Sequence, residues 1–235
     1  KSGGYGTAGI QLSALAGSEG FRILGATDYD RAGSSVSVAG DINHDGIDDL
    51  IVGASGGAPS AAGAAYVIYG RSSGYSGIDL ATLASSDGFT IAGAIDGNYA
   101  GTSVSSVGDV NGDGIDDVIV GAANADPGDR AFGGAAYVVY GKSSGYSNID
   151  LAALASSDGF RIAAASGGDQ AGVSVSSAGD VNGDGVDDLI VGAAYADPNG
   201  ETNAGAAYVI YGKSGGYSNI DLAALASSDG FRIAA

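Results

Sequence analysis

The chain has 235 residues, of which 45% are hydrophobic and 44 are Gly, with no Cys, Met or Trp and a net charge of −18. Lack of Cys excludes disulfides, zinc–thiolate sites and cysteine nucleophiles. The shortage of Lys and Arg disfavours nucleic-acid and anionic-membrane partners, and no apolar run approaches the roughly 20 residues of a membrane span. The charge is concentrated: twelve of the 27 acids are Asp41, Asp45, Asp48, Asp49, Asp109, Asp113, Asp116, Asp117, Asp180, Asp184, Asp187 and Asp188. Solubility alone does not require such clustering. Three divalent cations would bring the net charge from −18 to −12.

Taken in chain order, the elements recur at a period of about 70 residues. The start, Lys1-Ser-Gly-Gly-Tyr5, matches Lys142 to Tyr146 and Lys213 to Tyr217. The chain therefore begins at a repeat boundary and ends partway through a unit, which reads as a window on a longer array. A Gly-Phe pair follows at 20–21 and returns at 88–89, 159–160 and 230–231. Next is Ala-Gly-x-Ser-Val, at Ala32, Ala100 and Ala171. An acidic nonapeptide then leads into an apolar run ending in Gly-Ala, at Leu50–Ala54, Val118–Ala122 and Leu189–Ala193. The unit closes on Gly-Ala-Ala-Tyr-Val-hydrophobic-Tyr-Gly, ending at Gly70, Gly141 and Gly212.

Each unit offers four short strands, in the first unit roughly Ser34–Val38, Asp49–Gly53, Ala64–Tyr69 and Phe89–Ala92. They are rich in Val, Ile and Tyr and bounded by Gly, Asn, Asp and Ser. In Ala65–Tyr69, Tyr66 and Ile68 point one way and Val67 and Tyr69 the other. A strand apolar on both faces belongs between layers. The segment Ile149–Gly159 is too short for a helix of its own and reads as a connection with room for one helical turn. Four strands per unit favour propeller blades over a solenoid.

The fold class expected is therefore all-β: three four-stranded antiparallel β-propeller blades at 27–94, 95–165 and 166–235. Residues 1–26 add the outer strand of a preceding blade. Three blades are too few for a ring. The propeller is thus incomplete, continued by further blades or completed by association with other copies.

The Ala-Gly-x-Ser-Val segments, the acidic loops and the Gly-Ala pairs resemble the FG-GAP repeats of integrin alpha-subunit propellers and their bacterial relatives. The resemblance covers essentially the whole chain. Departures are Ala-Gly at 32–33, 100–101 and 171–172 in place of Phe-Gly, and Gly-Ala-Ser55, Gly-Ala-Ala123 and Gly-Ala-Ala194 in place of Gly-Ala-Pro. The resemblance implies an adhesion role.

The nonapeptides place oxygen ligands at alternate positions, as a hard cation requires. The first loop assigns Asp41, Asn43, Asp45 and Asp49 as side-chain ligands, with the Ile47 carbonyl. The second assigns Asp109, Asn111, Asp113, Asp117 and the Ile115 carbonyl. The third assigns Asp180, Asn182, Asp184, Asp188 and the Val186 carbonyl. All-oxygen sets select calcium or magnesium over zinc, and a flexible loop favours calcium (Ca2+) at three sites, one per repeat. An EF-hand would carry an acid at position twelve, where this chain has Val52, Val120 and Val191. The closing acid stands instead at position nine, as in the hairpin loops of integrin-like blades. The alternative reading is a set of Asx-turns that need no metal.

Asp48, Asp116 and Asp187 read as solvent-facing or site-tuning acids rather than ligands, and His44 as a solvated loop tip. Asp126-Pro127 and Asp197-Pro198 read as turn chemistry. No Ser-His-Asp set or phosphate loop is visible, so the chain is not expected to be an enzyme. The function expected is a non-catalytic, calcium-binding extracellular or cell-surface module for adhesion or surface-structure assembly, with a protein or glycan surface ligand. Alternatives are a carbohydrate-binding propeller and an accessory domain of a larger secreted enzyme.

Overall fold

Short strands of β-branched residues separated by Gly and Asp give a meander wherever each strand can reach its predecessor. The computed structural model describes residues 12, 15, 20–56, 61–72 and 77–234. The Lys1–Tyr5 copy lies outside them. Among the described residues the regular structure is all strand apart from single 3-10 turns.

A two-residue strand β1 (Ile23–Leu24) precedes the first complete meander. That meander is β2 (Ala32–Gly40), β3 (Asp49–Ala54) and β4 (Ala64–Ile68), then the short β5 (Ile78–Asp79) and finally β6 (Gly88–Ala92). Strands β2, β3, β4 and β6 pair antiparallel in that order. The second meander is β7 (Ala100–Gly108), β8 (Asp117–Ala122), β9 (Ala135–Val139), the short β10 (Ile149–Asp150) and β11 (Gly159–Ala163). The third is β12 (Ala171–Gly179), β13 (Asp188–Ala193), β14 (Ala206–Ile210), the short β15 (Ile220–Asp221) and β16 (Gly230–Ala234). These are three blades of a propeller. The three sheets do not close on themselves.

One feature departs from expectation. The connection before the fourth strand carries a two-residue strand that pairs in parallel with the blade before it. Strand β10 joins β6, β15 joins β11, and β5 joins β1. Local polar groups set this up. Asn148 Oδ1 accepts from the Thr90 N–H at 3.0 Å, and Asn219 Oδ1 from the Arg161 N–H at 2.9 Å. Asp150 then caps the 3-10 turn Leu151–Ala153 by accepting from the Ala152 N–H. Leu151 and Leu222 from these turns are buried in the interfaces between blades.

Both faces of the middle strands are apolar, and the second sheet is sandwiched between the first and the third. Ile51, Ala65, Val67, Phe89 and Ile91 of the first blade cluster with Val104, Val118, Val120, Tyr137 and Val139 of the second. Ile119, Ala136, Val138, Phe160 and Ile162 of the second cluster with Leu189, Val191, Tyr208 and Ile210 of the third. Aromatic pairs cross each junction: Phe89 stacks on Tyr146 at 4.4 Å, and Phe160 meets Tyr217 at 5.3 Å.

The Ala-Gly-x-Ser-Val segments also join neighbouring blades. Ser35 Oγ donates to the Gly101 carbonyl, and Ser103 Oγ to the Gly172 carbonyl, each at 2.8 Å. This close approach explains the Gly of the apolar strand. A Cβ on Gly53 would fall 2.2 Å from the Gly101 oxygen, and one on Gly121 2.0 Å from the Gly172 oxygen.

Phe160 is 2% exposed between blades, whereas its counterpart Phe231 on the last sheet is 42% exposed. Phe160→Ala should therefore cost about 3–5 kcal/mol, and Phe231→Ala less than half of that. Urea denaturation of the two variants checks the difference.

Candidate metal centre

Each acidic nonapeptide forms the hairpin between the first and second strands of its blade. The turn depends on left-handed backbone at Gly46, Gly114 and Gly185, each with φ of +88°, a region that favours Gly. Asp41 sits at the pivot. Its Oδ1 accepts from the Asp45 N–H at 2.8 Å and its Oδ2 from the Gly46 N–H at 2.9 Å. Asn43 Oδ1 accepts from the Asp45 N–H, and Asp45 Oδ1 from the Ile47 N–H at 3.0 Å. The second loop repeats this with Asp109, Asn111, Asp113 and Ile115, and the third with Asp180, Asn182, Asp184 and Val186.

Asp49, Asp117 and Asp188, the ninth residues, are fully buried at the start of the second strands. Each accepts from a glycine N–H that follows the third strand: Gly70 at 2.6 Å, Gly141 at 2.8 Å and Gly212 at 2.7 Å. In the second and third loops the other oxygen accepts from Val110 or Val181. In the first, Asp49 Oδ2 is buried without a hydrogen-bond partner. Burial pushes the Asp49 carboxyl up to about 6, opposed by the Gly70 and Asn43 N–H groups and reinforced by the charges of Asp45 and Asp41. Burial likewise pushes Asp117 up to about 8, opposed by the Gly141 and Val110 N–H groups and reinforced by Asp113 and Asp109.

Among the described residues, no three Asp, Glu or His side chains are gathered into a ready-made cation cage. The carboxylates hold their own loop N–H groups, as Asx-turns do. These bonds leave capacity, because each ionised carboxylate offers about four lone-pair sites. The donor set is entirely oxygen, and the unpartnered Asp49 Oδ2 is a buried anionic acceptor close to two further carboxylates. The residues therefore fit a hard cation.

The extra acids do more than face solvent. Asp48 is exposed. Asp116 Oδ2, however, accepts from the Asp41 N–H in the preceding loop at 2.9 Å, and Asp187 Oδ2 from the Asp109 N–H at 3.1 Å. Sequence spacing could not reveal this, because each partner is about 75 residues away. His44 is exposed, as expected for a loop tip, and takes left-handed backbone with φ of +58°. Asp126 and Asp197 brace their loops by accepting from the Phe132 and Asn203 N–H groups, each at 2.6 Å.

A family model for the FG-GAP repeat matches residues 32–68, 100–139 and 171–210. The chain belongs to the FG-GAP repeat family. Each matched span runs from the first strand of a blade to the third and contains one whole acidic loop. Among curated relatives, the phosphatidylinositol-glycan-specific phospholipase D of Bos taurus is 32% identical over 189 residues, covering 79% of this chain and 21% of the relative. The Rattus norvegicus protein of that name is 31% identical over 179 residues, covering 75% and 20%. Integrin alpha pat-2 of Caenorhabditis briggsae is 32% identical over 109 residues, covering 43% and 8%. The chain thus spans about a fifth of the phospholipases and under a tenth of the integrin. Among the described residues of this FG-GAP array, no helix is long and apolar enough to cross a membrane.

Two outcomes are expected. His44→Gly, which installs the residue found at Gly112 and Gly183, should stabilise the fold by about 0.5–1 kcal/mol in urea denaturation, by relieving left-handed strain. The second concerns pH in the presence of chelator. The folded pKa values of Asp49 and Asp117 lie above the ordinary 3.8, so between about pH 4 and 8 the folded protein holds protons that the unfolded chain releases. Stability should fall as pH rises through that window. Asp87, Asp158 and Asp221 are held low, chiefly by side-chain hydrogen bonds from Ser86, Lys142 and Arg130 respectively, and their contribution is lost only at more acid pH. The urea midpoint between pH 5 and 8 checks the sign, and Asp117→Asn should flatten the slope.

Proposed function

We propose that this FG-GAP array is a non-catalytic, calcium-stabilised extracellular module used in adhesion or in building a surface structure. The observation that carries the reading is the fully buried Asp49, whose Oδ2 has no partner beside two other carboxylates. A divalent cation would neutralise that cluster, as the same residue types would in the other two loops. Asp41, Asn43, Asp45 and Asp49 would hold the first ion with the Ile47 carbonyl. Asp109, Asn111, Asp113, Asp117 and the Ile115 carbonyl would hold the second, and Asp180, Asn182, Asp184, Asp188 and the Val186 carbonyl the third. Calcium is favoured over magnesium because it accepts six to eight oxygens in flexible geometry.

Extracellular calcium sites commonly have affinities of about 10⁻⁴–10⁻³ M, which suits loading outside a cell. The match to an integrin alpha chain supports a protein or glycan surface ligand. The match to phosphatidylinositol-glycan-specific phospholipases D supports a second reading, in which the array is an accessory module of a larger secreted enzyme. The absence of a nucleophile–base pair in the sequence supports a non-catalytic role in either setting, since the one His is an exposed loop-tip residue.

Removing calcium should destabilise the fold. At ten times its dissociation constant each ion adds about 1.4 kcal/mol, so three add about 4 kcal/mol. For a chain of this size that corresponds to a fall in melting temperature of about 8–16 °C. Calorimetry with calcium and after exhaustive EDTA treatment tests this, and an unchanged melt would overturn the reading.

A further inference from the structure

Two of the three acidic loops are gripped from outside by the following blade. In the first, Asp116 takes the Asp41 N–H, while the Ile42 carbonyl accepts from the Lys142 N–H at 3.0 Å and the Tyr146 hydroxyl at 2.9 Å. In the second, Asp187 takes the Asp109 N–H, the Val110 carbonyl accepts from the Lys213 N–H at 2.9 Å, and the Asn111 carbonyl accepts from the Gly215 N–H at 2.8 Å. The glycine before each loop makes room for the incoming acid. A Cβ on Gly40 would lie 2.2 Å from Asp116 Oδ2, and one on Gly108 2.1 Å from Asp187 Oδ2.

The third loop has the same glycine in the same backbone conformation. Gly179 has φ of +66° against +69° and +70° for Gly40 and Gly108. Yet a Cβ there would meet nothing within 4 Å. Val181 is 51% exposed, whereas its counterpart Val110 is 2% exposed. The second and third loops differ at one residue only, Ile115 against Val186. The third glycine shows the open space that Asp116 and Asp187 fill beside the other two.

We propose that Asp116 and Asp187 are positioning residues that act in trans. Each preorganises the cation loop of the blade before its own, so that the first and second loops take calcium more tightly than they would without the grip. This rests on the calcium reading above. Holding the first ligand's N–H fixes its backbone before the ion arrives, which lowers the ordering cost of binding. The acid also adds negative charge near the incoming cation, which acts in the same direction. Neighbouring blades are thereby coupled at their cation loops.

The test uses the whole chain and NMR amide signals of Gly46, Gly114 and Gly185, which each report on their own loop, during a calcium titration. Asp116→Ala should weaken the Gly46 midpoint about tenfold and should move Gly114 less, although position 116 belongs to the second loop. Asp187→Ala should weaken the Gly114 midpoint about tenfold, the loss of a charge-assisted hydrogen bond, and should move Gly185 less, although position 187 belongs to the third loop. Asp187→Asn, which keeps an acceptor oxygen and removes the charge, should give an intermediate shift. An Asp187→Ala effect confined to Gly185, or an Asp116→Ala effect confined to Gly114, would overturn this inference alone. No calcium-dependent shift at any of the three glycines would overturn the calcium reading and this inference with it.

Discussion

A short sheet with apolar side chains on both faces cannot be satisfied by a single neighbour. Val52, Tyr66 and Ile68 look one way from the first blade, and Ile51, Ala65 and Val67 look the other. The second sheet lies between the first and the third, and the rest of the architecture serves that stacking. The side chains are modest in size, so the sheets approach closely. Gly53 and Gly121 stand where any Cβ would strike the next blade's backbone. The close approach in turn brings Ser35 and Ser103 within hydrogen-bonding distance of carbonyls in the adjacent blade. Burial supplies most of the energy, since a fully buried Phe or Ile contributes about 1.5–3 kcal/mol, and the serine bonds set the registration between sheets.

The acidic loops sit at the edge of this stack and inherit its geometry. Their ninth residue must turn into a buried strand, which carries a carboxylate out of water. Asp49, Asp117 and Asp188 are fully buried for that reason. The N–H groups of Gly70, Gly141 and Gly212 offset part of the desolvation cost, and the raised pKa values of Asp49 and Asp117 record what is left. A site that buries an acid beside other acids is poised for a cation. The same stacking also decides which loops are gripped, because the grip comes from the following blade.

Much of this was legible in the residues. The period, the four-strand unit and the two-faced strands follow from alternation and recurring Gly, and the strand positions agree to within about two residues. The first strand is longer than its Ser34–Val38 core, because the Ala-Gly segment joins it across a bulge. The acidic loops were legible as one recurring unit through their alternate spacing, and the structure gathers Asp41, Asn43 and Asp45 into one hydrogen-bonded turn. Two things were not legible. The Ile149–Gly159 segment reads as a connection within one blade, yet Ile149–Asp150 completes the sheet of another. Asp116 and Asp187 read as acids that face solvent or tune their own loops, yet each caps a neighbour's loop. In both cases the partner is a residue of another repeat, and local pattern carries no information about it.

By itself, then, the sequence determined what one repeat is: a four-stranded sheet, apolar on both faces, with an oxygen-lined turn between its first two strands. It did so because side-chain alternation and Gly placement are local properties with a fixed period. Only the tertiary structure decided how repeats use one another. It assigned Ser35, Tyr146 and Asp116 to contacts between blades. Those contacts arise from which sheet lies alongside which, a relation that stacking in three dimensions creates and that no single repeat contains.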